Sequence, residues 1–143
     1  MSITAEDFLR ELYESCDNIV ACLNIINSNY AIFKSMPLVQ NAIMYNLIHI
    51  YEIICNIVSH KDDMGNGDIA NLYNLIKNRY NVMKDDLKNC RNSSAHGDVD
   101  DAVFETAWHL CINDVVKLRQ ELESQYMRKI KSNKRKLLYA KEV

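Results

Sequence analysis

Apolar residues return at steps of three and four positions along most of the chain, which is the spacing of one face of an α-helix. Four such stretches occur, separated by polar segments at 27–29, 61–67 and 97–100. The second stretch, from Leu38 to Val58, covers more than one stripe and is predicted to be the central helix. The pattern therefore predicts an all-α protein, a four-helix up-and-down bundle with a basic C-terminal helical extension.

Residues that favour helix ends stand at the predicted boundaries. Gly97, at the end of the third stretch, has the freedom of backbone that a residue just beyond a helix requires. The expected helix starts are Thr4 with Asp7 as a capping box, Ser35 with Pro37, Asp68, and Asp98 or Asp100.

Charge is distributed unevenly along the 143 residues, whose net charge is −2. Residues 1–127 carry 10 basic and 18 acidic side chains, a net of −8, whereas residues 128–143 carry 7 basic and one acidic, a net of +6. We expect two units, a helical bundle over 1–127 and a basic tail over 128–143 that continues the last helix. Such a tail can bind phosphates or an acidic partner, but a solvated helix end favoured by the helix dipole is the more common explanation of such a segment.

Composition narrows the class of protein. Five cysteines form an odd number without a CxxC pair, which argues against a disulfide framework. The N-terminus is acidic and lacks the apolar region of a secretory signal, and the second stretch contains too many polar residues for a membrane span. These features predict a cytoplasmic protein that does not enter a membrane.

The stretch CRNSSAHG, Cys90 to Gly97, is the densest group of chemically useful side chains. An arginine fork can bind a phosphate, and a histidine can move a proton near neutral pH, so Arg91 and His96 together could cleave a phosphodiester without metal. On a straight helix, however, residues five apart point about 140° away from each other. The side chains of Arg91 and His96 can approach each other only if the helix loosens before His96, or if a second copy of the chain supplies one of the two residues.

The order of features resembles the HEPN superfamily, in particular its HepT-like toxins. In that family an Arg, a polar residue and a later His lie near the end of the third long helix, as Arg91, Asn92 and His96 do here. The Gly after the His and the helix with an early aromatic, Trp108, also fit. The second stretch resembles the family's helix with a conserved Gly-Glu pair, with Tyr51 in place of the Gly and Glu52 at the Glu.

This resemblance implies a homodimer whose composite interface site is a metal-independent endoribonuclease of a prokaryotic toxin–antitoxin or defence system. Arg91 would bind the scissile phosphate and His96 would act as general acid or base, supported by Asn92, Ser94 and Glu52. RNA is the implied substrate, and no cofactor or metal is implied. The alternative is a catalytically inactive HEPN module that binds a nucleotidyltransferase or nucleic acid, and a third class is a dimeric scaffold without a site.

One departure from the family concerns the antitoxin. In the branch paired with a nucleotidyltransferase-type antitoxin, the modified tyrosine lies two residues after the His, where this chain has Asp98. Modification of a tyrosine at that position is therefore not expected here, although a nucleotidyltransferase-type antitoxin that acts otherwise remains a candidate partner.

Two other constellations are weaker. His109 and Cys111 with Cys90 and His96 resemble a zinc set, but residues two apart on a helix diverge by about 200°. Cys90 beside Arg91 could be a reactive thiolate, yet its place on the apolar stripe favours a structural role.

Overall fold

A computed structural model describes residues 4–65 and 67–131. Helices account for 87% of these residues, and no strand occurs among them. The helices are α1 (Ala5–Ile25), α2 (Tyr30–Ser35), α3 (Pro37–His60), α4 (Gly67–Ala95), α5 (Asp101–His109) and α6 (Val116–Tyr126), with π-helical segments at Leu110–Val115 and Met127–Lys131. The segments from α5 onward follow one another without a break, and we call them the C-terminal rod (residues 101–131).

The all-α prediction is confirmed, and the four predicted long helices correspond to α1, α3, α4 and the C-terminal rod. The short helix α2 was not predicted, because six residues are too few to show a period. It begins where the Asn29 side chain accepts a hydrogen bond from the backbone N–H of Ile32, and it is fixed by the fully buried Phe33. Residues 132–143, the greater part of the predicted basic tail, lie outside the described residues.

Most helix ends follow the local signals in the sequence. Thr4 and Asp7 form the expected capping box, and Pro37 occupies the first turn of α3. The assignment of Ser35 as the cap of α3 was wrong, since Met36 occupies that position and makes no side-chain cap bond. Ser35 instead ends α2, which leaves its hydroxyl engaged with a carbonyl of that helix.

The hydrophobic core is one cluster to which all six α-helices and the first π-helical segment contribute. Helix α1 packs against α3 and the C-terminal rod, and α4 packs against the same two partners. Arg79 of α4 binds Glu121 at 2.9 Å and Asp114 at 3.3 Å, which ties α4 to the rod. These contacts fix α4, and with it the motif at its end, against α3.

Helix α3 is long and apolar enough to cross a membrane by length and composition alone, with a mean hydropathy of 1.3. Core helices of soluble proteins meet the same criterion. Nine residues of α3 are buried in the core, among them Asn46, whose amide donates to the Ala42 carbonyl at 2.8 Å and accepts from Asn18 at 3.3 Å. The helix is therefore consistent with a soluble protein.

Candidate phosphate-binding cleft

The last turns of α4 place the motif at the surface. Cys90 is fully buried, because it continues the apolar stripe of Met83 and Leu87 at steps of four and three. Arg91 follows, and since each helical residue turns its side chain by about 100°, it is directed away from the core and is exposed. The burial of Cys90 in the core therefore directs the guanidinium of the next residue, Arg91, toward solvent.

The end of α4 is a regular Schellman motif. Asp98 N–H donates to the Ser93 carbonyl at 2.8 Å, and Gly97 N–H donates to the Ser94 carbonyl at 3.3 Å. Gly97 has φ of +70°, the left-handed conformation that this motif requires. The prediction for Gly97 is confirmed, and the helix continues without loosening through Ala95.

Arg91 lines an open cleft of about 470 Å³ between the end of α4 and two turns of α3. The other lining residues are Tyr51, Glu52, Cys55 and Asn56. Glu52, Cys55 and Asn56 lie on one side of α3, because Cys55 and Asn56 are three and four residues after Glu52. Tyr51 is four residues before Cys55 and lies at the edge of that side. The packing of α3 against α4 therefore brings Glu52, a predicted supporting residue, to the same cleft as Arg91.

The guanidinium of Arg91 differs from those of Arg10, Arg79 and Arg119, each of which binds a carboxylate. Within residues 4–65 and 67–131, the side chain of Arg91 forms no ion pair or hydrogen bond, although Glu52 lines the same cleft. A guanidinium has five donors in a fixed fork that fits a phosphate group. The described part of the cleft thus contains a cation whose donors are available.

Tyr51 forms one wall of the cleft and is half-buried. Burial raises the pKa of its phenol, and a hydrogen bond to Cys55 raises this pKa further, while the nearby charge of Arg91 lowers it. The net shift is upward, so the hydroxyl remains protonated at neutral pH. The cleft thus combines a cation with a neutral tyrosine.

His96 lies elsewhere. It follows Ala95, the last residue of α4, its side chain is exposed, and it does not line the cleft that contains Arg91. Asn92 and Ser94 lie on the last turn of α4 and are half-buried, and they too are absent from the cleft lining. One chain therefore brings Arg91 together with Glu52, but not with His96.

The residues that sequence analysis missed are Cys55 and Asn56, together with any role for Tyr51 beyond its place in the resemblance. Cys55 and Asn56 could have been identified from the sequence once Glu52 was a candidate, because residues three and four positions further along a helix share its face. What the sequence did not supply was the packing of α3 against the end of α4, which makes this face a wall.

The weaker constellations do not gain support. Cys90 is fully buried, and burial raises the pKa of its thiol to about 11, so it is a neutral thiol at physiological pH. His109 is exposed whereas Cys111 is fully buried, as expected for residues that diverge on a helix. No group of three or more potential metal ligands occurs among the described residues.

Comparison of the chain with protein-family models, with curated proteins and with solved structures finds no match. The resemblance to the HEPN superfamily therefore rests on the Arg91-to-His96 motif and the order of features around it in the sequence.

Proposed function

We propose that this protein is a metal-independent endoribonuclease, a toxin of a prokaryotic toxin–antitoxin or defence system, which acts in the cytoplasm as a homodimer. Its four long helices would form an up-and-down bundle, with the ends of α4 from two copies facing each other. The observation that supports the proposal is the Arg91 guanidinium, which lies in an open cleft without a carboxylate partner among the described residues.

The separation of Arg91 from His96 within one chain supports the proposal of a dimer. Because α4 stays regular through Ala95, a loosened helix is not available to bring His96 to Arg91 within one chain. A second copy can supply the missing group. The outer face of α3 offers apolar contact area, since Leu38 is 83% exposed and Tyr45 is 69% exposed.

The proposed chemistry uses the 2′-hydroxyl of the RNA itself. Arg91 binds the scissile phosphate and offsets the charge that develops on its oxygens. His96 of the other copy takes the proton of the 2′-hydroxyl or gives one to the leaving 5′-oxygen. The products are a 2′,3′-cyclic phosphate and a 5′-hydroxyl end, and Asn92, Ser94 and Glu52 support the two main groups.

A second candidate is a catalytically inactive HEPN module that binds nucleic acid or a nucleotidyltransferase partner. The specific observation in its favour is that the cleft of one chain contains Arg91 but not His96. A cleft of this kind binds an anion without any catalytic group beside it.

The test is cleavage of total RNA and tRNA by the purified protein in EDTA, beside Arg91→Ala and His96→Ala. The proposal expects wild-type cleavage that survives chelation and is lost in both variants, with no cleavage of a DNA oligonucleotide, which lacks the 2′-hydroxyl. Lys84→Ala and His109→Ala are matched controls, because both side chains are exposed and neither lines the Arg91 cleft. An inert wild type, or variants that cut equally well, would leave the binding module as the better description.

A further inference from the structure

The Arg91 cleft contains more than a phosphate-binding group. Tyr51 presents an aromatic ring whose position is fixed, because the residue is half-buried and packs against the hydrophobic core. Asn56 is exposed at the same cleft, and its side-chain amide forms no hydrogen bond within the described residues. A fixed ring and an available amide are groups that recognise a planar base that carries donors and acceptors.

Tyr51 and Asn56 lie at two edges of the cleft wall. They are five residues apart, which is about 7.5 Å along the axis of α3 and about 140° around it, and both line the cleft. Arg91 reaches the cleft from the other helix, so the cation, the ring and the amide approach it from two sides. A phosphate bound to Arg91 would leave the adjacent base beside α3.

We propose that Tyr51 and Asn56 are base-recognition residues, where the ring of Tyr51 stacks on an unpaired base and the amide of Asn56 hydrogen-bonds its edge. The inference rests on RNA binding at the Arg91 cleft, and it holds whether or not the site is catalytic. A base within a duplex is stacked on both sides and cannot meet the ring, so only an unpaired base is recognised. Stacking tolerates every base, whereas an amide, with two donors and one acceptor, distinguishes among them.

The electrostatics of the chain set the conditions of the test. Residues 1–127 carry a net charge of −8 and residues 128–143 a net charge of +6, so the affinity for RNA should depend on salt concentration. Binding of fluorescent 2′-O-methyl RNA, which cannot be cleaved through its 2′-oxygen, is therefore measured by anisotropy from low to moderate salt. Single-stranded oligonucleotides of each base are compared with a duplex of the same length.

The key variant is Tyr51→Leu, which keeps the apolar bulk and removes the ring. We expect roughly a 5- to 150-fold loss of affinity for single-stranded RNA, the range found for the loss of one base–aromatic stack, with no change in salt dependence. Tyr51→Phe should bind within about twofold of wild type, because the ring remains. Arg91→Ala should instead reduce the salt slope by about one.

Asn56→Ala should reduce the differences in affinity among the four bases, and Tyr73→Leu should bind as wild type. Tyr73 is the matched control, since it is a half-buried tyrosine that packs against the core, as Tyr51 does, but does not line the cleft. Wild-type affinity for Tyr51→Leu, together with weakened binding by Arg91→Ala, would overturn base recognition and leave the phosphate site intact. If the wild type does not bind single-stranded RNA, or Arg91→Ala binds as well as wild type, the proposed function and this inference both fall.

Discussion

Gly97 decides where α4 ends and therefore where His96 lies. It adopts φ of +70°, while Gly67, at the start of α4, does not have a positive φ. A Cβ built on either residue meets no atom within 4 Å, so the two sites differ in backbone conformation and not in available space. Alanine substitutions at Gly97 and at Gly67 therefore separate the effect of the left-handed conformation from that of the added methyl group.

Gly97→Ala should lower the free energy of unfolding by about 1–2 kcal/mol, because an L-residue is disfavoured in the left-handed region. Gly67→Ala should be neutral or should raise it by up to about 1 kcal/mol, since alanine favours a helix. Urea denaturation of both variants measures the difference. Equal effects at the two sites would contradict the assigned end of α4.

Cys90 provides a prediction about pH. Burial raises the pKa of its thiol from 9.0 to about 11, so an unfolded chain releases this proton at a lower pH than the folded chain does. The stability that this difference provides is complete below pH 9 and is lost as the pH rises toward 11. Cys90 alone accounts for about 1.4 kcal/mol per pH unit across that interval.

The measurement is urea denaturation of the wild type and Cys90→Val between pH 8 and 11. The variant should lose stability less steeply with pH, because valine keeps the apolar contact without the titration. Parallel curves for the two proteins would show that the thiol is not protected from ionisation by the fold.

Among the helices, the long ones were predictable and the short or irregular ones were not. The apolar spacing of α1, α3 and α4 identified these helices, and Thr4 and Pro37 marked the starts of α1 and α3. Asp68, the expected cap of α4, lies instead within the first turn of that helix. The π-helical segment Leu110–Val115 left no signal, because its apolar residues fit a stripe at steps of three and four as well as an α-helix does. Likewise, Arg91 was predictable as a candidate, but its cleft depends on packing between α3 and α4.

Asp100 tests the start of the C-terminal rod. Its side chain accepts a hydrogen bond from the backbone N–H of Val103 at 3.0 Å, which caps α5. Asp100→Ala should lower the free energy of unfolding by about 1 kcal/mol. Asp98→Ala is the matched control, since Asp98 is exposed and its side chain caps no helix, and it should change stability by less than about 0.5 kcal/mol. Similar losses in thermal or urea denaturation would argue against the cap.

For the whole molecule, the central prediction is association of two chains through the outer face of α3. Leu38→Lys places a charge on this face, where Leu38 is 83% exposed in the single chain. If the face is buried in a dimer, the variant should sediment as a monomer at concentrations where the wild type is a dimer, because a desolvated and unpaired charge is costly. Met64→Lys is the control, since Met64 is fully exposed in the loop that joins α3 to α4. If the wild type is monomeric at every concentration tested, the proposal of a composite site is contradicted.

The composite site is tested most directly by mixing subunits. Arg91→Ala and His96→Ala are each inactive in the proposed mechanism, but a mixed dimer of the two has one Arg91 and one His96 that face each other. After the two variants are unfolded together and refolded at equal concentrations, ribonuclease activity in EDTA should return to about a quarter of the wild-type rate, because half of the dimers are mixed and each has one complete site. Absence of recovered activity, with mixed dimers confirmed by mass, would contradict a site that takes Arg91 from one chain and His96 from the other.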